Sequence, residues 1–344
     1  MAPVYKDARI ARLKGRAWLA IPLFENHLLD ELKIPHTEKP MGITALPKDG
    51  VCYGDIIYRE KYKPAIYWHR LCMEEPFTAR FSSISEAAEL LRSVQRNWAF
   101  YPFTCFRRAE LIEKKLPFIS KKEKTFPFET PLAEMGLWTL LNENTLFASA
   151  KTSSPFPRGE LFFKEDKENP PSRAYLKMWE ALTLLRFYER KNTGHLRNGE
   201  YPSALPAAGS VCIDAGASPG GWTWVLHNLG CRITAVDRSP LAPGLTEQKN
   251  IAFIKHDAFT LKPEELGKTD WVCSDVICYP PRLYKWIEKW LASGLCEKFI
   301  CTIKMQGAPD TETIEKFAAI PNSKIVHLTA NKHELTWLKA PFIA

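Results

Sequence analysis

One stretch of nine residues restricts the folds open to this chain more than any other: Asp214-Ala-Gly-Ala-Ser-Pro-Gly-Gly-Trp222. It follows the apolar run Val211-Cys212-Ile213 and precedes Thr223–Leu229, with Gly230 behind. The pattern predicts a strand, a tight glycine turn, and a helix ended by a glycine cap. A strand that delivers such a turn onto a helix N-terminus is how open α/β sheets bind nucleotide-like ligands. Glycine at 216, 220 and 221 would let backbone approach that ligand closely. Dinucleotide-binding folds need Gly-x-Gly-x-x-Gly at this place. The spacing here is Gly-x-x-x-Gly-Gly, which disfavours that class.

The residues around the turn predict the rest of an α/β domain. A helix is expected from Ser172 to about Glu189, with Tyr175, Met178, Leu182 and Leu185 on one apolar face. A polar loop is expected over 190–209. Strands are expected at Arg232–Asp237, Ile251–Lys255, Trp271–Ser274 and Phe299–Ile303, with helices at Arg282–Ala292 and Thr311–Ala319. Such alternation builds a mostly parallel sheet. A closing pair at Ile325–Thr329 and Leu335–Leu338 predicts an antiparallel edge. Four strands end on, or lead to, an acid: Asp214, Asp237, Asp257 and Asp275. Ligands of open sheets bind beyond those strand ends. Asp237 stands 23 residues after Asp214, near the interval at which an acid meets ribose hydroxyls.

The first half reads as α+β. Residues 1–15 form a polar, basic lead-in. Strands are expected at Arg16–Phe24, Val51–Arg59, Ala65–Cys72, Phe77–Phe81 and Thr145–Ala150. Helices are expected at Glu25–Lys33, at Ser85–Val94 with Ser85 as cap, and at Thr130–Leu141. Residues 156–171, rich in Pro, Lys and Glu, read as a linker. The expected domains are therefore 1–155 and 172–344.

The net charge is +8. Arg107, Arg108, Lys114, Lys115, Lys121, Lys122 and Lys124 face only Glu110, Glu113 and Glu123 in their segment. A cluster of this kind suits phosphate contact better than a diffuse excess does. Trp68, Trp98, Phe100, Tyr101, Phe103 and Phe106 are candidates to stack bases beside it, although each also fits an ordinary core. The nine cysteines have no Cys-x-x-Cys pair and no neighbouring histidine in zinc-ligand spacing. They predict reduced, mostly buried thiols in a cytoplasmic protein with no bound metal. No apolar run approaches the roughly 20 residues that span a bilayer, and Met1-Ala-Pro-Val-Tyr-Lys6 lacks a signal core. Neither a membrane nor export is expected.

The string Asp-x-Gly-x-x-Pro-Gly-Gly-Trp at 214–222 resembles the S-adenosylmethionine (SAM) motif of the FtsJ-type ribose 2′-O-methyltransferases. That family carries a Lys-Asp-Lys-Glu tetrad, and Lys177, Asp275, Lys304 and Glu334 stand at the matching places. Ser153-Ser-Pro-Phe156 and Pro171-Ser-Arg-Ala-Tyr-Leu-Lys177 are similar to segments of its bacterial branch acting on a cytidine of 23S rRNA. In the first half only Trp18-Leu-Ala-Ile-Pro-Leu-Phe-Glu-Asn26 is similar, and weakly. The resemblance implies a Rossmann-like SAM-dependent methyltransferase domain behind an RNA-binding, THUMP-related region. It implies SAM held by Ser218, Pro219, Gly220, Gly221, Trp222, Asp237, Asp257 and Asp275, with Asp257 toward the adenine amino group. The partner it implies is RNA, 23S rRNA above all. Ala174 departs from the branch, which has a hydroxyl residue there.

The tetrad also makes chemical sense. A ribose hydroxyl attacks poorly until its proton leaves. Lys304 is the candidate acceptor, with Asp275 and Lys177 positioning it and the ribose and Glu334 holding the lysines. An ordinary lysine titrates near about 10.4, so accepting a proton at neutral pH needs its ammonium destabilised by roughly 4–5 kcal/mol. Desolvation and a second lysine work in that direction, and the two acids work against it. Two other readings stay open. A base N-methyltransferase would want Asp/Asn-Pro-Pro-aromatic at the fourth strand's end, whereas Pro280-Pro281 begins five residues after Asp275 and precedes Arg282. A SAM-fold RNA-binding protein without catalysis is the other.

Overall fold

The structure is a computed structural model that describes residues 7–36, 48–63, 65–193 and 204–343. The start of the expected lead-in (1–6) and much of the expected polar loop (194–203) lie outside the described residues. The chain divides into two compact units, one of Met1–Glu123 and Pro131–Phe162, the other of Lys124–Thr130 and Phe163–Ala344.

Among its described residues the first unit holds nine strands: β1 (Ile10–Arg12), β2 (Arg16–Ala20), β3 (Cys52–Tyr53), β4 (Ile56–Arg59), β5 (His69–Met73), β6 (Pro76–Arg80), β7 (Trp98–Phe100), β8 (Gly136–Asn142) and β9 (Thr145–Ser149). Its helices are α1 (Glu25–Leu32), α2 (Ile84–Val94) and α3 (Phe106–Glu113). The strands make a five-stranded sheet, β1-β6-β9-β8-β7, and a four-stranded sheet, β3-β4-β2-β5. Leu19, Tyr58, Leu71, Leu137 and Phe147 fill one core with residues of both sheets, while Leu90, Leu91 and Ile112 pack helices α2 and α3 on Trp98, Trp138 and Leu146. Trp68, Trp98, Phe100 and Tyr101 are buried, so four of the six aromatics proposed for stacking are core residues.

Local expectations fail at several places in this unit: the lead-in expected over 1–15 contains β1, and the single strand expected at Val51–Arg59 is the antiparallel pair β3 and β4. Ser83, not Ser85, caps α2, its side chain accepting from the Glu86 amide. The expected helix at Thr130–Leu141 is strand β8. Leu137 and Leu141 face one core and Trp138 and Leu140 the other, so both faces of the strand are buried. A strand buried on both faces loses the apolar–polar alternation that marks strands, and its continuous apolar run imitates a helix.

The second unit carries α4 (Tyr175–Thr193) and a sheet of seven strands: β10 (Val211–Ala215), β11 (Arg232–Asp237), β12 (Ile251–Lys255), β13 (Trp271–Ser274), β14 (Phe299–Lys304), β15 (Ser323–Val326) and β16 (Glu334–Lys339). Their order is β12-β11-β10-β13-β14-β16-β15. The first five run parallel, and β16 enters antiparallel between β14 and β15. The expected α/β fold with an antiparallel edge is what forms. Helices α5 (Gly221–Asn228), α6 (Pro243–Thr246), α7 (Pro263–Leu266), α8 (Pro280–Ser293) and α9 (Thr311–Ala318) connect the strands. The segment Lys124–Thr130 joins this unit by a bridge of Lys124 to Phe163 and by Phe126 stacked on Trp179 of α4, ring centroids 5.2 Å apart. In the stretch expected to be a linker, Phe156, Leu161 and Phe163 are buried. All nine cysteines are free and eight are buried. Among the described residues no helix is long and apolar enough to cross a membrane.

Candidate active site

The strand order places β10 next to β13, and ligands of such sheets bind at the carboxyl ends beside that point. A cavity of about 500 Å³ opens there. Its wall includes Ser218, Pro219, Gly221 and Trp222 from the glycine turn, Asp237 and Asp257 from the ends of β11 and β12, and Asp275 and Lys304. Gly220 is not part of that wall.

The glycines serve packing inside the protein. Gly216 and Gly220 adopt φ of +78° and +119°, where side chains are strained. A Cβ on Gly216 would lie 2.3 Å from Val276 Cγ2, and one on Gly220 2.2 Å from Leu245 Cδ1. On Gly221 it would lie 2.5 Å from Ser172 Oγ. The small residues therefore let the turn close against the loop after β13, against α6 and against the lead into α4. Trp222 is buried, and its indole donates to the Ala174 carbonyl at 2.9 Å, tying the turn to the start of α4. Ala174 keeps a structural role through its backbone.

Lys177 projects from the first turn of α4, Asp275 follows β13, Lys304 ends β14 and Glu334 begins β16. The antiparallel register sets Lys304 directly opposite Glu334. Lys177 Nζ donates to both Asp275 oxygens at 2.7 Å and to Glu334 Oε1 at 3.1 Å. Lys304 Nζ lies 3.0 Å from Asp275 Oδ1 and 3.8 Å from Glu334 Oε2. The four residues thus close into one cluster of two acids and two bases, which balances charge in a largely dry place. Lys177 takes the tight contacts. Lys304 takes the looser ones and is the most open of the four, with 17% of its side chain exposed against 9% for Lys177. Lys304 and Asp275 reach the cavity; Lys177 and Glu334 do not line it.

Electrostatics follow from this geometry. Burial opposes the ammonium of Lys177, but Asp275 and Glu334 outweigh it and hold its pKa above the ordinary lysine value. Burial would raise Asp275, yet Lys177 and Lys304 hold its carboxyl below the usual range. Asp214 is the opposite case. Burial pushes it up to about 7, and Asp275 and Asp237 add to the rise against a hydrogen bond from Thr223.

Two contributors escaped the sequence reading. The Thr302 hydroxyl donates to Asp275 Oδ1 at 2.7 Å. It sits two residues before Lys304, on the same face of β14, and that period of two was the available signal. Glu180 is buried and accepts from the Thr329 amide and hydroxyl, which pins the chain after β15 to α4. Its spacing three after Lys177 was the signal there.

The other acids are partly occupied. Asp237 accepts from the amides of Ser218 and Ser239 and so shapes the turn itself. Asp257 accepts from the Phe259 amide and from Arg282 at 2.7 Å. Burial would raise its carboxyl, but Arg282 and that amide hold it low. Each carboxylate keeps lone pairs for a ligand.

The glycine turn thus lies at the carboxyl end of a mostly parallel sheet with the buried Lys-Asp-Lys-Glu cluster beside it, the arrangement that the resemblance to the FtsJ type implied. Residues 170–331 match the FtsJ-like methyltransferase family, so the resemblance read from the motifs holds for this part of the chain. Among curated proteins, the chain is similar to Ribosomal RNA large subunit methyltransferase M of Thauera aminoaromatica, 34% identical over 148 residues, which is 43% of this chain and 37% of that protein. The protein of the same name from Alkalilimnicola ehrlichii is 30% identical over 193 residues, 56% of this chain and 48% of its own. The chain thus spans less than half the length of these two relatives. Among solved structures, human methyltransferase-like protein 13 in complex with SAH is 13% identical with a TM-score of 0.34, over 49% of this chain and 83% of that one.

Proposed function

We propose that the chain methylates a ribose 2′-hydroxyl of RNA in a SAM-dependent reaction, with a cytidine of 23S rRNA as the acceptor. The observation that carries this reading is the closed tetrad with Lys304 turned into the cavity beside the glycine turn. The cavity suits the cofactor: its volume falls in the range of small-molecule sites, and carboxylates stand at the strand ends where ribose and adenine donors would meet them. Ser218, Pro219, Gly221 and Trp222 would hold one end, Asp237 and Asp257 the other, and Asp275 the reacting centre. When bound, SAM supplies an electrophilic methyl group. Lys304 takes the hydroxyl proton. Lys177 holds Asp275 and Glu334 in place through its three short contacts, and those two acids fix the position of Lys304. Thr302 orients Asp275 from the other side.

The test is methyl transfer to unmodified 23S rRNA, with the product nucleoside identified by mass spectrometry. A 2′-O-methylcytidine is expected, and a methyl group on a base would refute the assignment. A base N-methyltransferase has less support, because Pro280 is buried as the first residue of α8 and so is not presented to a substrate base.

The first unit is proposed as the RNA-binding, THUMP-related part, in a protein of the reducing cytoplasm. Its basic cluster is smaller than the charge count implied. Arg108 donates to the Ser82 carbonyl and lies over the Phe81 ring, Lys121 pairs with Glu113 at 3.1 Å, and Lys124 belongs to the other unit. Arg107, Lys114, Lys115 and Lys122 remain exposed, in the same segment as the exposed rings of Phe106 and Phe118. Replacing these four cations with glutamine should weaken RNA binding and reduce the slope of log affinity against log salt by about 3, at roughly 0.7 per lost contact to single-stranded RNA. A salt titration checks this, and an unchanged slope would return the cluster to ordinary solvated surface.

A further inference from the structure

Both large apolar side chains that stand exposed among the described residues of the second unit lie in one loop, the one that follows Asp275. Ile277 is 78% exposed and Tyr279 67%. The loop alternates: Cys278 and Pro280 are buried, while Ile277 and Tyr279 point outward together. This exposure is not the result of a frayed end. β13 holds the loop on one side, and α8 begins on the other with two prolines. One turn into α8, Arg282 is fixed by Asp257 at 2.7 Å and lies over the Phe259 ring. Ile277 lines the cavity together with Lys304, and Asp257 lines it further along. Tyr279 does not line the cavity itself; in the chain it lies between Ile277, which does, and Arg282, which is paired to Asp257 of the wall. Its ring and hydroxyl have no partner among the described residues. Arg238, 72% exposed, adds a cation for a phosphate nearby, within 4 Å of Asp257.

A fixed apolar pair at the mouth of a charged site needs a flat, uncharged occupant with anionic flanks. Unpaired RNA has this chemistry: bases present π-faces, and aromatic side chains stack on them while cations hold the backbone. We propose that Ile277 and Tyr279 form the subsite for the acceptor nucleotide. Tyr279 stacks on its base, and Ile277 packs against the sugar whose 2′-hydroxyl meets Lys304. This rests on the RNA methyltransferase reading above. Stacking accepts any base, so the pair positions the nucleotide and does not read its identity.

The test uses the full chain and in-vitro-transcribed 23S rRNA. Tyr279→Ala should raise KM for RNA tenfold or more, the range that loss of one stacked base implies. Tyr279→Phe and Tyr279→Trp should stay within about threefold of wild type, which also shows that the loop folds. SAM affinity by calorimetry and the salt slope of RNA binding should not change in any of the three. Wild-type kinetics in Tyr279→Ala would overturn the subsite. So would equal loss in Tyr279→Phe, which would assign the effect to the hydroxyl, or a parallel loss of SAM affinity, which would assign the loop to the cofactor. If the wild-type chain binds SAM but methylates no RNA, the parent reading fails as well, and that result is distinct from each of the others.

Discussion

Lys304→Ala is expected to lower methyl transfer about a thousandfold, the middle of the range for loss of a positioned proton acceptor, or about 4 kcal/mol in the barrier. The expectation rests on geometry. Lys304 is the lysine of the tetrad that reaches the cavity, held 3.0 Å from Asp275. Lys304→Arg separates two roles. Arginine keeps the charge but cannot give up its proton in a protein. If Lys304 accepts the hydroxyl proton, the arginine variant is as slow as the alanine variant. An arginine variant within tenfold of wild type would make the charge, and not proton transfer, the function of this residue. SAM affinity should survive in both, since the turn and the acids at β11 and β12 are untouched.

Lys177→Met should cost about 3–5 kcal/mol of stability, the usual loss when one partner of a buried ion pair is removed. Methionine retains the apolar stem but leaves Asp275 and Glu334 together with Lys304 as their single cation, in a place where both carboxylates are 13% exposed or less. Its signature is in the pH dependence. In the wild type, Asp275 titrates below its ordinary 3.8, so its contribution is complete above that value and is lost only as pH falls through the lower, folded value. Lys177 titrates above 10.5, so its contribution is complete below that value and is lost as pH rises through the higher, folded one. Asp275 and Lys177 therefore add no slope across the neutral range. Without Lys177 one carboxyl is driven to keep its proton. A carboxyl with a raised folded pKa loses stability as pH rises, so the variant should become progressively weaker than wild type between about pH 5 and 8. Urea unfolding at several pH values measures this. A loss under about 1 kcal/mol with no new pH slope would mean that Lys304 alone neutralises both acids.

The second unit was the more legible half because its signals are local and its sheet is open. Each strand of β10 to β14 is a short apolar run ending near a polar residue, and α5, α8 and α9 have their own periodicity or glycine stop, whereas the four-residue α6 and α7 were not expected. Boundaries moved by a few residues, as with α4 starting at Tyr175 and β15 at Ser323. The first unit was harder for a physical reason. Its strand β8 is packed on both faces and gave no alternation, and four of its six candidate stacking aromatics are core. The basic segment looked continuous in sequence, but folding gave Arg108 and Lys121 partners and sent Lys124 to the other unit.

By itself, the sequence determined the α/β class of the second unit and the place of the glycine turn, since spacing along strands and helices decides what reaches the carboxyl end of a sheet, and the resemblance its motifs carry implied which four residues would form the tetrad. Only the tertiary structure decided the rest. It showed that the glycines make room for Val276, Leu245 and Ser172, that Thr302 belongs beside Asp275, and that Lys304, alone of the two lysines, faces the cavity. Those facts depend on which residue from a distant strand arrives within a few ångströms, and on how much water remains around it. Lys177 and Lys304 are the same residue type in the same motif. The antiparallel arrival of β16 and the first turn of α4 bury one and leave the other open to a substrate.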